Sequence, residues 1–413
     1  MALKNGKETA MKNVKNVYES VAGGGMDVHY KFSSVTMRDA QGSVVRRERL
    51  DHRDKAALRQ RLARWPKDVP MVMEASFGWG WLADLMKELG LQPELSNCYK
   101  VEQMRKARGW VKTNKKDADL LSLMPLEKDH WWKVWMAPPE VRDIRERMRH
   151  RTSMVVIQTA MKNRIWALFH RHGIFQDESD LFGVAGWKFL EALCREGRTA
   201  DEVLLPGALC MLRGLVELLE DVRKQLAKIA RELRGHLQRS DLARRLDGIP
   251  GIALILAHTL MAEIGRIERF ASHRHLASYA LLAPRSDDTG EDDGRPPLGR
   301  HLGHRGNRTL KWAFIEAARG AVRRGGKWRR IFDRATDGGE RNRNRGYIKV
   351  ARELAKVVYV MWKNGSSYMD NPPARPGSPR ERMKNFFSSA RPGTGQPSRP
   401  MAAVLEAGPQ ASL

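Results

Sequence analysis

Met26-Asp27-Val28-His29-Tyr30, followed by Ser33-Ser34-Val35-Thr36-Met37, decides how the chain is read. The two segments are apolar and carry β-branched residues, the composition of a strand. Asp39-Ala40-Gln41-Gly42 then supplies turn chemistry and Ser43-Val44-Val45 opens a second strand, so a hairpin is expected. Upstream, the polar residues 1–25 end in Gly23-Gly24-Gly25 and read as a flexible leader. Downstream, Leu58, Leu62 and Trp65 recur at helical spacing. Val69 to Ala75 is a short apolar run of strand character, and Trp79 to Leu89 is helical again. Strands followed by helices in this order predict an α/β domain with a mixed sheet over residues 26–135.

The character changes after Trp135. Pro138-Pro139-Glu140 is a helix start, because proline suits the first turn and an acid suits the helix dipole. A long basic helix is expected from there towards His172. In a second one, Leu212, Leu215, Leu219, Val222, Leu226, Ile229 and Leu233 alternate spacings of three and four. That spacing fits a coiled-coil seam or an ordinary core helix, and either reading makes residues 136–240 a helical arm. Residues 241–364 read as a third, helical and very basic region. The segment 365–413 carries eight of the 19 prolines and little periodic apolar content, and is expected to be disordered. The expected fold class is thus α/β plus all-α.

Composition narrows the function. The 413 residues include 74 Lys and Arg against 48 Asp and Glu, a net charge of +26. Such a surplus disfavours an ordinary metabolic enzyme and favours a polyanionic partner, nucleic acid before membrane. Cys98, Cys194 and Cys210 are too scattered for a disulfide framework or a zinc knuckle, which points to a reducing interior. The longest apolar stretch, Ile252 to Ala257, is far short of the ~20 residues of a membrane span, and the N-terminus lacks the apolar core of a signal peptide. The expected location is the cytoplasm.

Four features could carry chemistry. Asp27 on the first strand, Glu74 at the end of a later one and Asp117 in Lys112-Thr113-Asn114-Lys115-Lys116-Asp117 are the first. A carboxylate on an apolar strand is costly unless compensated, and a divalent cation such as Mg²⁺ is the usual compensation. Carboxylates gathered at one sheet edge can hold ions that stabilise the attacking and leaving oxygens of a phosphodiester. Taken singly, each is an ordinary surface or capping acid. The second feature, Gly248-Ile249-Pro250-Gly251-Ile252, looks like the turn of a helix-hairpin-helix, where Gly248 and Gly251 let backbone amides approach a phosphate. It also reads as a tight turn that binds nothing. The third is the acidic, Gly-rich stretch from Arg285 through Ser286 and Thr289 to Gly294, followed by Arg305, Arg308 and Lys311. A hydroxyl beside these arginines can attack a phosphodiester covalently, although the stretch equally fits a solvated loop. The fourth is Arg323, Arg324, Arg329 and Arg330 around Trp328, with Tyr347 further on, which suits phosphate contacts plus base stacking.

Taken together, the chain resembles the insertion-sequence 110 family of transposases, the DEDD recombinases guided by a bridge RNA. The match covers roughly residues 26–364. Met26-Asp27-Val28-His29, Val72-Met73-Glu74-Ala75-Ser76 and Lys112-Thr113-Asn114-Lys115-Lys116-Asp117-Ala118 resemble the family's acidic motifs. Pro138-Pro139-Glu140-Val141-Arg142 and Lys162-Asn163-Arg164-Ile165 resemble its helical arm. Gly248-Ile249-Pro250-Gly251-Ile252, Ala283-Pro284-Arg285 and Thr309-Leu310-Lys311-Trp312-Ala313 resemble its C-terminal domain.

The resemblance implies a ribonuclease-H-like domain of the Holliday-junction-resolvase type, a coiled coil, and a helical domain supplying a serine nucleophile. It also implies DNA and a guide RNA as partners, a dimer or tetramer, and action at the bacterial nucleoid. Two positions depart from the pattern. Asn114 stands where the family shows a third acid, and offers a metal a carbonyl oxygen without charge. The nucleophile motif, which ends Ser-Gly in the family, reads Asp288-Thr289-Gly290, so Thr289 keeps the hydroxyl and adds a crowding methyl. Ser286 is the alternative nucleophile. The expected function is a DNA recombinase that transposes its own element. The alternatives are a metal-dependent nuclease or junction resolvase acting through Asp27, Glu74 and Asp117, and an inactive nucleic-acid-binding relic.

Overall fold

The computed structural model describes residues 18–370 apart from 112, 128–130, 177–179, 199–202, 284–305 and 340–341. It divides into two compact units, residues 1–232 with 258–271 and residues 233–257 with 272–413.

The first unit is built on a six-stranded sheet of order β3-β2-β1-β4-β5-β6. β1 (Gly23–Val28), β2 (Phe32–Arg38) and β3 (Val44–Asp51) form an antiparallel meander. β4 (Pro70–Glu74) joins β1 in parallel, β5 (Gln92–Ser96) joins β4 in parallel, and the short β6 (Lys133–Val134) closes the edge antiparallel. The sheet is therefore mixed, as the order of strands and helices in the sequence led us to expect. The segments around Met26 and Val35 form two paired strands, which adds a hairpin ahead of the expected one.

Both faces of the sheet are covered, and the sequence of β4 records it. Met71 and Met73 enter one cluster with Met26, Val35 and Met37, packed under α1 (Lys55–Ala63) and α2 (Trp79–Glu88). Val72, between them, enters a second cluster with α3 (Cys98–Ala107) and α4 (Asn114–Leu123) on the opposite face. Period-two alternation between two apolar layers gives β4 its unbroken apolar run.

Gly23, Gly24 and Gly25, read from the sequence as the end of a flexible leader, are instead the buried first half of β1. The reason is steric. A Cβ on Gly25 would lie 2.2 Å from Ser122 N and 2.4 Å from Ala118 O, so α4 rests directly on the strand backbone. Residues 1–17 lie outside the described residues.

The rest of the first unit is helical. α5 (Pro139–Arg171) starts after Pro138 with Glu140 in its first turn, as the sequence predicts. Ile165, Leu168 and Phe169 of α5 share a buried cluster with Leu190 and Leu193 of α6 (Val184–Glu196) and with Leu212, Leu215 and Leu219 of α7 (Pro206–Arg239), a helix whose residues from 233 on belong to the second unit. The early part of the heptad pattern is thus buried within the chain, whereas Leu226 and Ile229 are half-buried. Arg145 Nε donates to Ala262 O at 2.7 Å, which ties α5 to residues 258–271 of the same unit.

The second unit contains α8 (Asp241–Asp247), α10 (His273–Tyr279), α11 (Arg308–Arg324), α12 (Gly326–Thr336) and α13 (Arg343–Asn364). α9 (Leu254–Ile264) contributes its first residues to this unit and the remainder to the other. No helix among the described residues is long and apolar enough to cross a membrane.

Candidate functional site

Asp27 and Glu74 are placed by the register of two parallel strands. Gly25 pairs with Val72 and Met26 with Met73, so Asp27 and Glu74 follow one step later at the same sheet edge. Alternation puts both on the face of Gly25 and Val72, beneath α4. α4 runs antiparallel to β1, since Gly23 abuts Pro125 and Gly25 abuts Ala118 to Ser122. Its first turn therefore lies over the end of β1, and that turn carries Asp117, which is buried and continues the helix face of Leu121 and Met124. Asn114, the exposed first residue of α4, stands one turn before Asp117, with Thr113 capping the helix through its hydroxyl.

The register thus places Asp27 and Glu74 at the ends of adjacent strands, and the helix turn that carries Asp117 lies over the end of β1. Asp27 has a 19% exposed side chain, and its Oδ2 accepts a hydrogen bond from His29 Nε2 at 2.9 Å. Burial pushes the Cys98 thiol up, and the nearby Glu74 carboxylate adds to the rise. An all-oxygen donor set on these backbones suits a hard cation such as Mg²⁺. Among the described residues, no three His, Cys, Asp or Glu side chains form a group that could hold a metal ion.

A clamp that sequence reasoning missed fixes α4 in place. Asp119 is buried, accepting from Thr36 Oγ1 at 2.7 Å and from both Nε and Nη2 of Arg47 at 3.0 Å. Ser122 Oγ accepts from Arg38 Nε at 2.8 Å. Burial opposes ionisation of Asp119. The hydrogen bonds from Arg47 and Thr36, then the charges of Arg47 and Arg38, outweigh it and hold the carboxyl below the usual carboxylate range. Helix, strand and acid are thereby held in one geometry, the condition for a preorganised site.

The second unit presents the cationic residues. Gly248 ends α8 with ordinary helical dihedrals, whereas Gly251 has φ +85 and its Cβ would fall 2.1 Å from Ala317 O, so it seats the turn against α11. The Gly248–Pro250 turn and the α11–α12 junction border a cleft of about 520 Å³ whose charged lining is Arg324, Lys327, Arg330 and Asp370. Arg308 and Arg323 are exposed and Lys311 is half-buried on α11, while Arg329 is ion-paired with Asp333 at 2.8 Å. Trp328, expected to stack on bases, is 2% exposed and packs beside Tyr368, so that part of the reading is corrected. The exposed indole of this unit is Trp312, one turn along α11 from Arg308. Arg285, Ser286, Thr289 and Arg305 lie outside the described residues.

A mixed sheet in this order, with acids at the ends of β1 and β4 and on a covering helix, fits the ribonuclease-H-like class of nucleic-acid-processing proteins. Two family models match the chain: a transposase model of DEDD, IS110 type over residues 24–173 and the Transposase IS116/IS110/IS902 family over residues 243–333. The chain belongs to the IS110 family of transposases. It is 28% identical to an uncharacterized 43.6 kDa protein of insertion element IS110 from Streptomyces coelicolor, over 39% of this chain and 38% of that protein. It is 26% identical to an uncharacterized 44.8 kDa protein of insertion element IS116 from Streptomyces clavuligerus, over 43% of this chain and 44% of that one. With the transposase for insertion sequence element IS1328 of Yersinia enterocolitica it shares 24% identity over 71% of this chain and 82% of the relative. The first three curated relatives are matched over only 38% to 52% of their own length.

Proposed function

We propose that this chain is a DNA recombinase that moves its own insertion sequence, cutting and rejoining strands through a hydroxyl–DNA phosphodiester. The observation that carries the reading is the strand register, which ends β1 at Asp27 and β4 at Glu74 side by side, with the clamped helix that carries Asp117 lying on β1. Asp27, Glu74 and Asp117 would hold Mg²⁺, with Asn114 as a weaker oxygen ligand. The bound ion supplies charge stabilisation to the oxygens of the scissile phosphodiester. His29 orients Asp27, and the Asp119 clamp fixes the helix that carries Asp117.

Thr289 is the nucleophile in this proposal. Its hydroxyl oxygen bonds to phosphorus as the bond to the leaving sugar oxygen breaks, and the hydroxyl proton ends on that leaving oxygen. Attack by a new strand end reverses the step and frees Thr289. Gly248, Gly251, Arg285, Arg305, Arg308, Lys311, Arg323, Arg324, Arg329 and Arg330 supply phosphate contacts for DNA and a guide RNA, Arg329 once released from Asp333. We assign catalysis to residues 26–135 with 241–364, and the basic arm at 136–240 holds guide RNA and DNA together with 241–364. Action as a dimer or tetramer at the nucleoid completes the proposal.

Capture of labelled DNA on denaturing gels tests it. Thr289→Ala should abolish the covalent adduct while DNA binding stays within about twofold, because cations rather than the hydroxyl supply the affinity. Thr289→Ser should retain or raise it by removing the crowding methyl. An adduct that survives in Thr289→Ala and vanishes in Ser286→Ala moves the nucleophile to Ser286. Cutting without any adduct replaces the proposal with a metal-dependent nuclease.

A further inference from the structure

Two aromatic rings stand in water at the sheet edge where β1 and β4 end. Tyr30 is 92% exposed and Phe77 is 100% exposed. Tyr30 lies in the β1–β2 connection, where the His29 N–H donates to Phe32 O at 2.9 Å and closes a tight turn. Phe77 lies in the four residues between β4 and α2. Because β1 and β4 are adjacent and parallel, both connections leave the sheet side by side, directly beyond Asp27 and Glu74.

The fold does not require either ring. Tight turns favour Gly, Asn, Asp and Ser, and the entry to α2 is handled by Gly78 at φ +88. Exposed rings contribute nothing to a core and leave apolar area in water. One such residue needs no explanation, but two on neighbouring connections at the mouth of a carboxylate corner form a surface. Cations lie in the same region of the unit. Lys31, beside Tyr30, is exposed, and Lys55 Nζ sits 3.3 Å from the ring centroid of Trp81 in the first turn of α2. Aromatic faces interspersed with cations match an unpaired nucleic-acid strand, whose bases stack while its phosphates meet the positive charges.

We propose that Tyr30 and Phe77 form a stacking platform for unpaired DNA bases, holding the strand open next to the phosphodiester that the Asp27–Glu74 edge acts on. The inference rests on the function proposed above, and DNA is the partner because the platform adjoins the corner assigned to cutting DNA.

The test uses the full-length protein without Mg²⁺, so that nothing is cut. It is titrated with a duplex containing an unpaired stretch marked by 2-aminopurine, and with the same sequence fully paired. The parent protein should bind the unpaired form more tightly and quench the probe. Tyr30→Ala and Phe77→Ala should each weaken that binding about tenfold and relieve the quench, with fully paired binding unchanged within about twofold. Phe77→Trp should restore both signals. Unchanged affinity and quench in the double alanine variant overturn the platform, as does an equal loss on paired and unpaired DNA. A loss confined to an RNA strand of the same sequence also overturns it and places RNA there. A parent protein that binds DNA in neither form contradicts the proposed function itself, which separates the two failures.

Discussion

Asp117 and Asp119 sit two positions apart on one helix and do different work. Asp117 lies buried in the first turn of α4, whereas Asp119 is held by Thr36 and Arg47. The acids on strands were legible in the sequence, because a carboxylate in an apolar run demands compensation. The role of Asp119 was not, because its partners lie 83 and 72 positions away and nothing local marks them. We predict that Asp119→Asn costs about 2–3 kcal/mol in stability, less than a fully buried pair because Arg47 is partly exposed. Thermal melting measures it. The pH dependence has a definite sign. A depressed carboxyl adds stability that is fully present above its unfolded pKa, near ~3.9, and is lost as pH falls through the lower folded value. The gap between parent and Asp119→Asn should therefore narrow on acidification below about pH 4. A gap that stays constant down to pH 2 would remove the ionised clamp from the account.

At the scale of elements, the triglycine shows what composition conceals. Glycine has no propensity for a strand, so Gly23 to Gly25 looked like a linker, and only the helix lying on them gives their reason. Gly25→Ala must push α4 off β1, since the obstructing atoms are backbone rather than flexible side chain. We expect a loss of about 3 kcal/mol or more, together with weaker Mg²⁺ binding as Asp117 shifts. The paired control is Gly207→Ala, where nothing lies within 4 Å and the melting temperature should hold or rise. The arm divides in the same manner. Leu219 is fully buried among α5 and α6 side chains, so Leu219→Asp should unfold the arm within a single chain. Leu226 is only half-buried, so Leu226→Asp should leave the helix content intact and lower the mass in solution if the seam joins two copies. An unchanged mass after Leu226→Asp would assign the seam to the chain's own core. Trp328 teaches the opposite lesson: arginines around an indole suggested stacking, but the amphipathic period of α12 turns that indole inward.

For the whole molecule, the charge of +26 is the most direct link from composition to function. Polyanion binding releases counterions, and each phosphate neutralised adds about 0.9 to the slope of log affinity against log salt. Replacing Arg324 and Arg330, both lining the basic cleft, with Ala should lower that slope by about 1 to 2 and weaken binding to all sequences alike. A sequence-dependent loss would instead make them base readers. The order of a mixed sheet followed by helices was visible early, because β-branched segments precede long helical periods. The sheet order and the register that brings Asp27 beside Glu74 were not visible, since pairing between distant strands leaves no local trace. That register is the centre of the account, and DNA cutting tests it most directly. Purified protein is given DNA carrying the end of its element, with Mg²⁺ titrated in, for the parent, Asp27→Asn and Glu74→Gln. The account predicts cutting that requires Mg²⁺ and falls about a thousandfold or more in either variant, with melting and DNA binding retained. Cutting at the parent rate in both variants would contradict it.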